Sequence, residues 1–272
     1  MAQGKPMISE SDFKLSESLG KIKHVVIVMS GKGGVGKSTV SSNLAAAIAM
    51  KGFRTGIMDV DIHGPNIPKM FGLEDEQIAV EDNKLVPAVA AHGLKVMSMA
   101  FLLPEKDAPV AWRGPVKMGA IRQFIEDVAW GDLDYLVIDM PPGTGDEAIS
   151  IIQLIPKADG MVVVTTPQEV ALLDSRKSIV FSAQVAIPVI GIVENMSGFV
   201  CPHCGERSDI FKTGGGERTA KEMGVQFLGR VPIEPGIVMS GDSGMPIVAS
   251  APDSASAKAF AEIADRVLRT VG

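Results

Sequence analysis

A chain of 272 residues is long enough for one large α/β domain, and its length does not demand two. Its 46% hydrophobic and 21% charged content is that of an ordinary globular protein, while a net charge of −6 argues against a nonspecific nucleic-acid binder, which needs a basic face. No apolar stretch approaches the ~20 residues that span a bilayer, so neither nucleic acid nor membrane is an expected partner.

Residues 1–20 are polar and lack the apolar segment of a secretory signal. They read as a flexible lead-in in which Ser9–Leu19 forms one or two exposed turns. The absence of a signal, with only two cysteines in one C-x-x-C, predicts a cytoplasmic protein. From 21 to 272 the pattern is that of a single domain. Strands are predicted at Val25–Met29, Thr55–Asp59, Leu94–Met99, Tyr135–Asp139, Met161–Thr165, Pro188–Glu194 and Gln226–Val231. Helices are predicted at Ser38–Lys51, Pro115–Ala129, Glu147–Ile155, Ala171–Val185, Gly216–Met223 and Ser254–Thr270. Short β-branched runs alternating with helical stretches give βα units and a mostly parallel sheet. The strands are nearly continuous in apolar residues, so both faces of the sheet are expected to be covered.

The first strand leads into GKGGVGKST, comprising Gly31, Lys32, Gly33, Gly34, Val35, Gly36, Lys37, Ser38 and Thr39. Strand, glycine-rich loop and helix in this order make a phosphate cradle: backbone N–H groups converge on phosphate oxygens, and the helix N-terminus adds its positive dipole end. Lys37 would reach the β- and γ-phosphates, and the Ser38 hydroxyl would hold Mg²⁺. The same letters contain G-x-G-x-x-G, with Asp59 at the distance of a ribose-binding acid. A dinucleotide loop, however, has no use for a Lys-Ser pair after its last glycine.

Asp139 ends an apolar run, in YLVIDMPPGTGD, where a carboxylate that orders Mg²⁺ is needed. MDVDIHGPN carries Asp59 and Asp61, of which one would support the metal shell and the other orient the attacking water. His63 is left out of that mechanism. Lys32, a second lysine inside the loop, is placed to reach a neighbouring subunit's nucleotide. Cys201 and Cys204 form C-P-H-C; two thiolates can share one metal but Zn²⁺ or an iron–sulfur cluster takes four ligands, which a twofold dimer would supply. A redox dithiol and an inert knuckle closed by His203 are the alternatives. The Met97–Phe101 stretch reads as core filling or contact surface.

Together GKGGVGKST, MDVDIHGPN, DMPPGTGDE, TTPQEVALLDSRK and VENMSGFVCPHCG resemble the Mrp/Nbp35 family of deviant Walker A (SIMIBI-class) P-loop ATPases, over about Ile22–Leu268. The resemblance implies a three-layer α/β/α P-loop NTPase with a mostly parallel sheet and a C-x-x-C insertion near 195–211. It implies a slowly hydrolysing ATPase that, as a homodimer, carries a [4Fe–4S] cluster and passes it to apo iron–sulfur proteins, with cluster-assembly scaffolds as further partners. By the same resemblance Gly33 to Thr39 hold the phosphates, Lys32 acts across the dimer and Asp61 positions water. Asp59 and Asp139 surround Mg²⁺, Asn195 reads adenine, Pro232 flanks the base, and Cys201 and Cys204 bridge the cluster. A Min- or Par-type positioning ATPase is the first rival, but the 257–270 helix looks core-packing rather than membrane-seeking, and neither type explains C-P-H-C. A nitrogenase-reductase-like electron carrier and a zinc-binding metallochaperone are the others.

Overall fold

The computed structural model describes residues 15, 17–103, 114–155, 157–201 and 203–272. Strands β1 (Ile22–Ser30) and β2 (Thr55–Asp59) are followed by a small hairpin, β3 (Val80–Glu81) with β4 (Lys84–Leu85), then β5 (Ala88–Val89) and β6 (Lys95–Ser98). Next come β7 (Leu133–Asp139), β8 (Gly160–Thr165), β9 (Val189–Glu194), a second hairpin of β10 (Phe199–Val200) and β11 (Arg207–Ser208), and β12 (Phe227–Arg230). The central sheet runs β12–β9–β8–β1–β7–β2–β6–β5. It is parallel except for β5, which pairs antiparallel to β6 at the edge.

The helices are α1 (Lys37–Met50), α2 (Ile67–Met70), α3 (Gly114–Asp127), α4 (Asp146–Gln153) and α5 (Glu169–Gln184). They continue with α6 (Gly215–Met223), α7 (Pro235–Asp242), α8 (Ile247–Ser250) and α9 (Ala255–Val271). Alternate residues of β1 enter opposite cores, as strand geometry requires. Val26 and Val28 pack with Leu44 and Ile48 of α1, Ile247 of α8 and Phe260 and Ile263 of α9. Val25, Ile27 and Met29 pack with Phe124 and Ile125 of α3, Ile151 of α4 and Ile179 of α5. The sheet is therefore sandwiched between two helical layers, which explains its unbroken apolar strands.

All seven predicted strands and all six predicted helices are present, Thr55–Asp59 with the expected bounds and the others with shifted ends. The last helix buries Phe260, Ile263, Ala264 and Val267 in the core, and Met97 and Met99 are core residues too. Among the described residues, no helix is long and apolar enough to cross a membrane. The lead-in departs from expectation where it is described: Leu15 and Leu19 are buried rather than exposed. The Ser18 Oγ lies 2.9 Å from the Ile125 carbonyl oxygen and 3.1 Å from that of Val128. Two leucines one helical turn apart fit the groove beside α3, and the hydroxyl meets carbonyls at and beyond that helix's end. Residues 1–14 and 16 lie outside the described residues, including most of the predicted Ser9–Leu19 turns.

Candidate functional site

The strand register brings the chemistry-bearing residues to one edge. Ser98 pairs with Asp59 across β6 and β2, and Asp59 pairs with Asp139 across β2 and β7. On the other side of β1, Thr165 pairs with Glu194 across β8 and β9. All lie at the carboxyl ends of parallel strands, where open α/β sheets bind ligands.

From Ser30 the chain turns through the glycine loop, and α1 begins at Lys37 with no side-chain cap on its first N–H groups. Around Gly33 and Gly34 there is open space where side chains would project. Gly31 is needed for packing: a Cβ there would sit 2.3 Å from the Asp174 carbonyl oxygen of α5. Gly36 has φ +82°, and a Cβ would lie 2.1 Å from the Asn195 Nδ2. Asn195 is buried and donates through Nδ2 to the Val35 carbonyl at 2.9 Å. Lys32 is half-buried, and its carbonyl accepts from Ser30 Oγ at 2.9 Å. Thr39 is half-buried on the first turn of α1.

Lys37 Nζ lies 2.7 Å from Asp139 Oδ2 and 3.8 Å from Asp61 Oδ2, with all three side chains buried. The hydroxyls of Ser38 and Ser41 donate to Asp139, to Oδ2 at 2.7 Å and Oδ1 at 2.5 Å. Sequence reasoning missed Ser41, which stands one turn past Lys37. Asp59 is fully buried; it accepts from Ser98 Oγ at 2.9 Å, the Asp61 N–H at 3.1 Å and the Ile67 N–H at 3.4 Å. Burial, then the neighbouring Asp139 charge, push its carboxyl up to about 8, against the pull of Lys37.

Asp61 sits just past β2, and its Oδ1 accepts from the N–H groups of His63 (3.1 Å) and Gly64 (3.3 Å). The loop after β7 is tied to the glycine loop by the Gly143 N–H, which donates to the Ser30 carbonyl at 2.8 Å. The residues proposed for phosphate, metal and water thus converge around Lys37.

A second assembly stands on the far side of β1. Glu194 is fully buried and accepts from Ser197 Oγ (2.5 Å), the Gly214 N–H (2.8 Å) and the Gly216 N–H at the start of α6, with Arg230 3.7 Å away. It was not identified from sequence; its two backbone donors lie about twenty residues downstream. From Glu194 the chain is laced to the segment after β12: Ser197 N–H donates to the Val231 carbonyl and Ile233 N–H to that of Gly198. This places half-buried Pro232 beside the Asn195 segment. Beyond it, β10 and β11 pair Phe199 with Ser208 and Val200 with Arg207 and carry Cys201 and Cys204 at their tip.

Cys201 is half-buried and Cys204 exposed, both as free thiols. The Cys201 N–H donates to the Glu206 carbonyl, and Gly205 N–H donates to the Cys201 carbonyl, each at 2.9 Å. The N–H groups of Cys204 and His203, then the Cys204 side chain, hold the Cys201 thiol below its usual range. Among the described residues no three His, Cys, Asp or Glu side chains gather into a metal site.

Residues 21–268 match the ParA family described as NUBPL iron-transfer P-loop NTPases. An iron-sulfur cluster carrier protein of Methanocaldococcus jannaschii is 51% identical over 267 residues, 98% of this chain and 91% of the relative. Another from Saccharolobus solfataricus is 51% identical over 96% of this chain and 88% of its own length. Among solved structures, a nucleotide-binding protein from Archaeoglobus fulgidus in complex with ADP superposes with a TM-score of 0.77 at 42% identity, covering 87% of this chain and 92% of that one. The Pyrococcus furiosus cell division ATPase MinD shares the fold, with a TM-score of 0.68 at 23% identity over 91% of this chain and 99% of its own.

Proposed function

The chain belongs to the NUBPL iron-transfer P-loop NTPases, and from that premise we propose that it is an ATP-hydrolysing carrier that binds a [4Fe–4S] cluster between the subunits of a homodimer and delivers it to apo iron–sulfur proteins in the cytoplasm. The observation that carries the cargo reading is the hairpin itself: two free thiols at its tip, with Cys201 biased toward the thiolate that ligates metal. Two such hairpins related by a twofold axis supply the four ligands that one supplies by half.

The nucleotide site fits its ligand on its own geometry. Open space beside Gly33 and Gly34 and the uncapped start of α1 accept phosphate oxygens. Lys37 leaves Asp139 for the β- and γ-phosphates, and Lys32 reaches the partner's nucleotide across the dimer. Asn195 and Pro232 border the base. Ser38, Asp139 and Asp59 fit Mg²⁺, a hard cation held by few protein oxygens alongside phosphate and water. When bound, that ion neutralises charge on the phosphates. Asp61, fixed by the His63 and Gly64 N–H groups, orients the attacking water.

The test is iron, sulfide and zinc per chain after anaerobic reconstitution, with solution mass measured on the same sample. About two irons and two sulfides per chain in a dimer, lost in Cys201→Ser, are expected. Zinc at half a site per chain, or a disulfide without metal, would refute the carrier and leave the ATPase standing.

A further inference from the structure

Lys117 is not a routine solvated charge. It lies on α3, whose outer positions would ordinarily carry lysine, yet its side chain is only 12% exposed. Its Nζ is 2.5 Å from Glu147 Oε1 and 2.8 Å from His63 Nε2. Those two partners stand on the two segments that flank the γ-phosphate position of the proposed function. His63 follows β2 and Asp61; Glu147 is in the first turn of α4, after the loop that leaves Asp139.

His63 is also bound to Asp61 through its backbone, because its N–H donates to Asp61 Oδ1. A chain of contacts therefore runs from the Asp61 carboxylate through His63 to Lys117 and on to Glu147. It closes a ring whose far side is the Asp59–Asp139 register pair. The two segments also meet where the Val60 N–H donates to the Asp139 carbonyl at 3.1 Å and where His63 Nε2 lies 3.9 Å from Glu147 Oε2; Lys117 adds the short contacts to both, and a water-orienting carboxylate loses rate when misplaced by about 1 Å.

We propose that Lys117 is a positioning residue for ATP hydrolysis: by bridging His63 and Glu147 it fixes the loop that holds Asp61 against the loop that follows Asp139. Lys117 touches neither phosphate nor water. It acts through His63, whose Nε2 lies 2.8 Å from the ammonium, while Glu147 supplies the counter-charge. This inference rests on the assignment of Asp61 as the residue that orients water.

Steady-state ATPase kinetics on the full chain test it, with Asp61→Asn, Lys117→Met, Lys117→Arg, His63→Ala and the Lys117→Met/His63→Ala double variant. Lys117→Met keeps the stem and removes the charge. It should lower kcat about 10-fold with KM for ATP within twofold of wild type and an unchanged melting temperature. Lys117→Arg should recover most of that loss, His63→Ala should match it, and the double variant should be no slower than either single. Unchanged kcat in both Lys117→Met and His63→Ala, or an additive double variant, overturns the proposal. A fall in kcat accompanied by a lower melting temperature, without rescue by arginine, assigns Lys117 a merely structural role and overturns it too. Asp61→Asn separates the two levels: if it retains activity the Asp61 assignment itself is wrong, whereas if it is inactive while Lys117→Met is not, only the bridge is wrong.

Discussion

Asp59 is the place where the site stores unfavourable energy. Its carboxyl is pushed up to about 8 from an ordinary 3.8, by burial and by Asp139 on the neighbouring strand. Between these values the folded chain retains a proton that the unfolded chain has released. Stability then falls as pH rises, by about 1.4 kcal/mol per unit, and levels off above pH 8. From pH 5.5 to 7.5 the loss through this one group is ~2.7 kcal/mol. Asn at position 59 mimics the protonated acid in shape and can keep its contacts with Ser98 and the Asp61 N–H, but it does not titrate. Urea unfolding of wild type and Asp59→Asn, with chelator present, should already favour the variant at pH 5.5, by roughly 2 kcal/mol, because the unfolded aspartate is ionised there. From pH 5.5 to pH 7.5 that advantage should widen by a further 2–3 kcal/mol, roughly. Parallel stability–pH curves for the two proteins would show that Asp59 carries no such burden, and the reasoning from burial and Asp139 would fail.

Three further outcomes separate the parts of the site. Gly33→Ala meets no neighbour and needs no unusual backbone, so its melting temperature should stay within a degree or two while affinity for a fluorescent ATP analogue falls at least 10-fold. Gly36→Ala, by contrast, meets Asn195 at a positive φ and should lose both, with unfolding free energy down by about 2–4 kcal/mol in urea titrations. Glu194→Gln must turn an N–H₂ toward donors that now share a carboxylate. It should cost about 2–4 kcal/mol and accelerate hydrogen exchange at the Cys201 and Gly205 amides, leaving kcat for ATP within twofold.

What was legible from sequence was what depends on local pattern. Strands buried on both faces read as apolar runs, and GKGGVGKST fixes its own loop because each letter has a local reason. The unread parts depend on partners far along the chain. Helix α7 begins with Pro235 and Gly236 and looks like a turn; it forms because proline suits the first helical position and Glu234 reaches the Ser256 N–H at the start of α9. Strand β5 is two residues long and exists only because β6 offers an edge. Leu15 and Leu19 sat in a polar stretch, and nothing nearby in sequence signalled the groove at α3 that receives them. Lys117 looked like any outward charge on a helix, since His63 and Glu147 are remote from it in sequence.

Glu194 and Asp59 show how a buried carboxylate's surroundings separate scaffold from chemistry. Both are fully buried at the same sheet edge, two strands to one side of β1 and two to the other. Glu194 meets a hydroxyl, two backbone N–H groups at the mouth of α6 and the Arg230 guanidinium, so its charge is answered by fixed donors and the hairpin bearing Cys201 and Cys204 is anchored. Asp59 is placed in register with a second carboxylate, Asp139, and Lys37, the cation beside them, is the side chain that phosphate would draw away. An arrangement of that kind is costly unless a ligand completes it, which is why perturbed carboxyls mark functional sites. A divalent cation arriving with ATP would convert the clash at Asp59 and Asp139 into coordination and free Lys37 for the phosphates. Binding energy is thus built into the site on one flank of β1, while on the other flank the hairpin of Cys201 and Cys204 hangs from a carboxylate that has nothing left to gain.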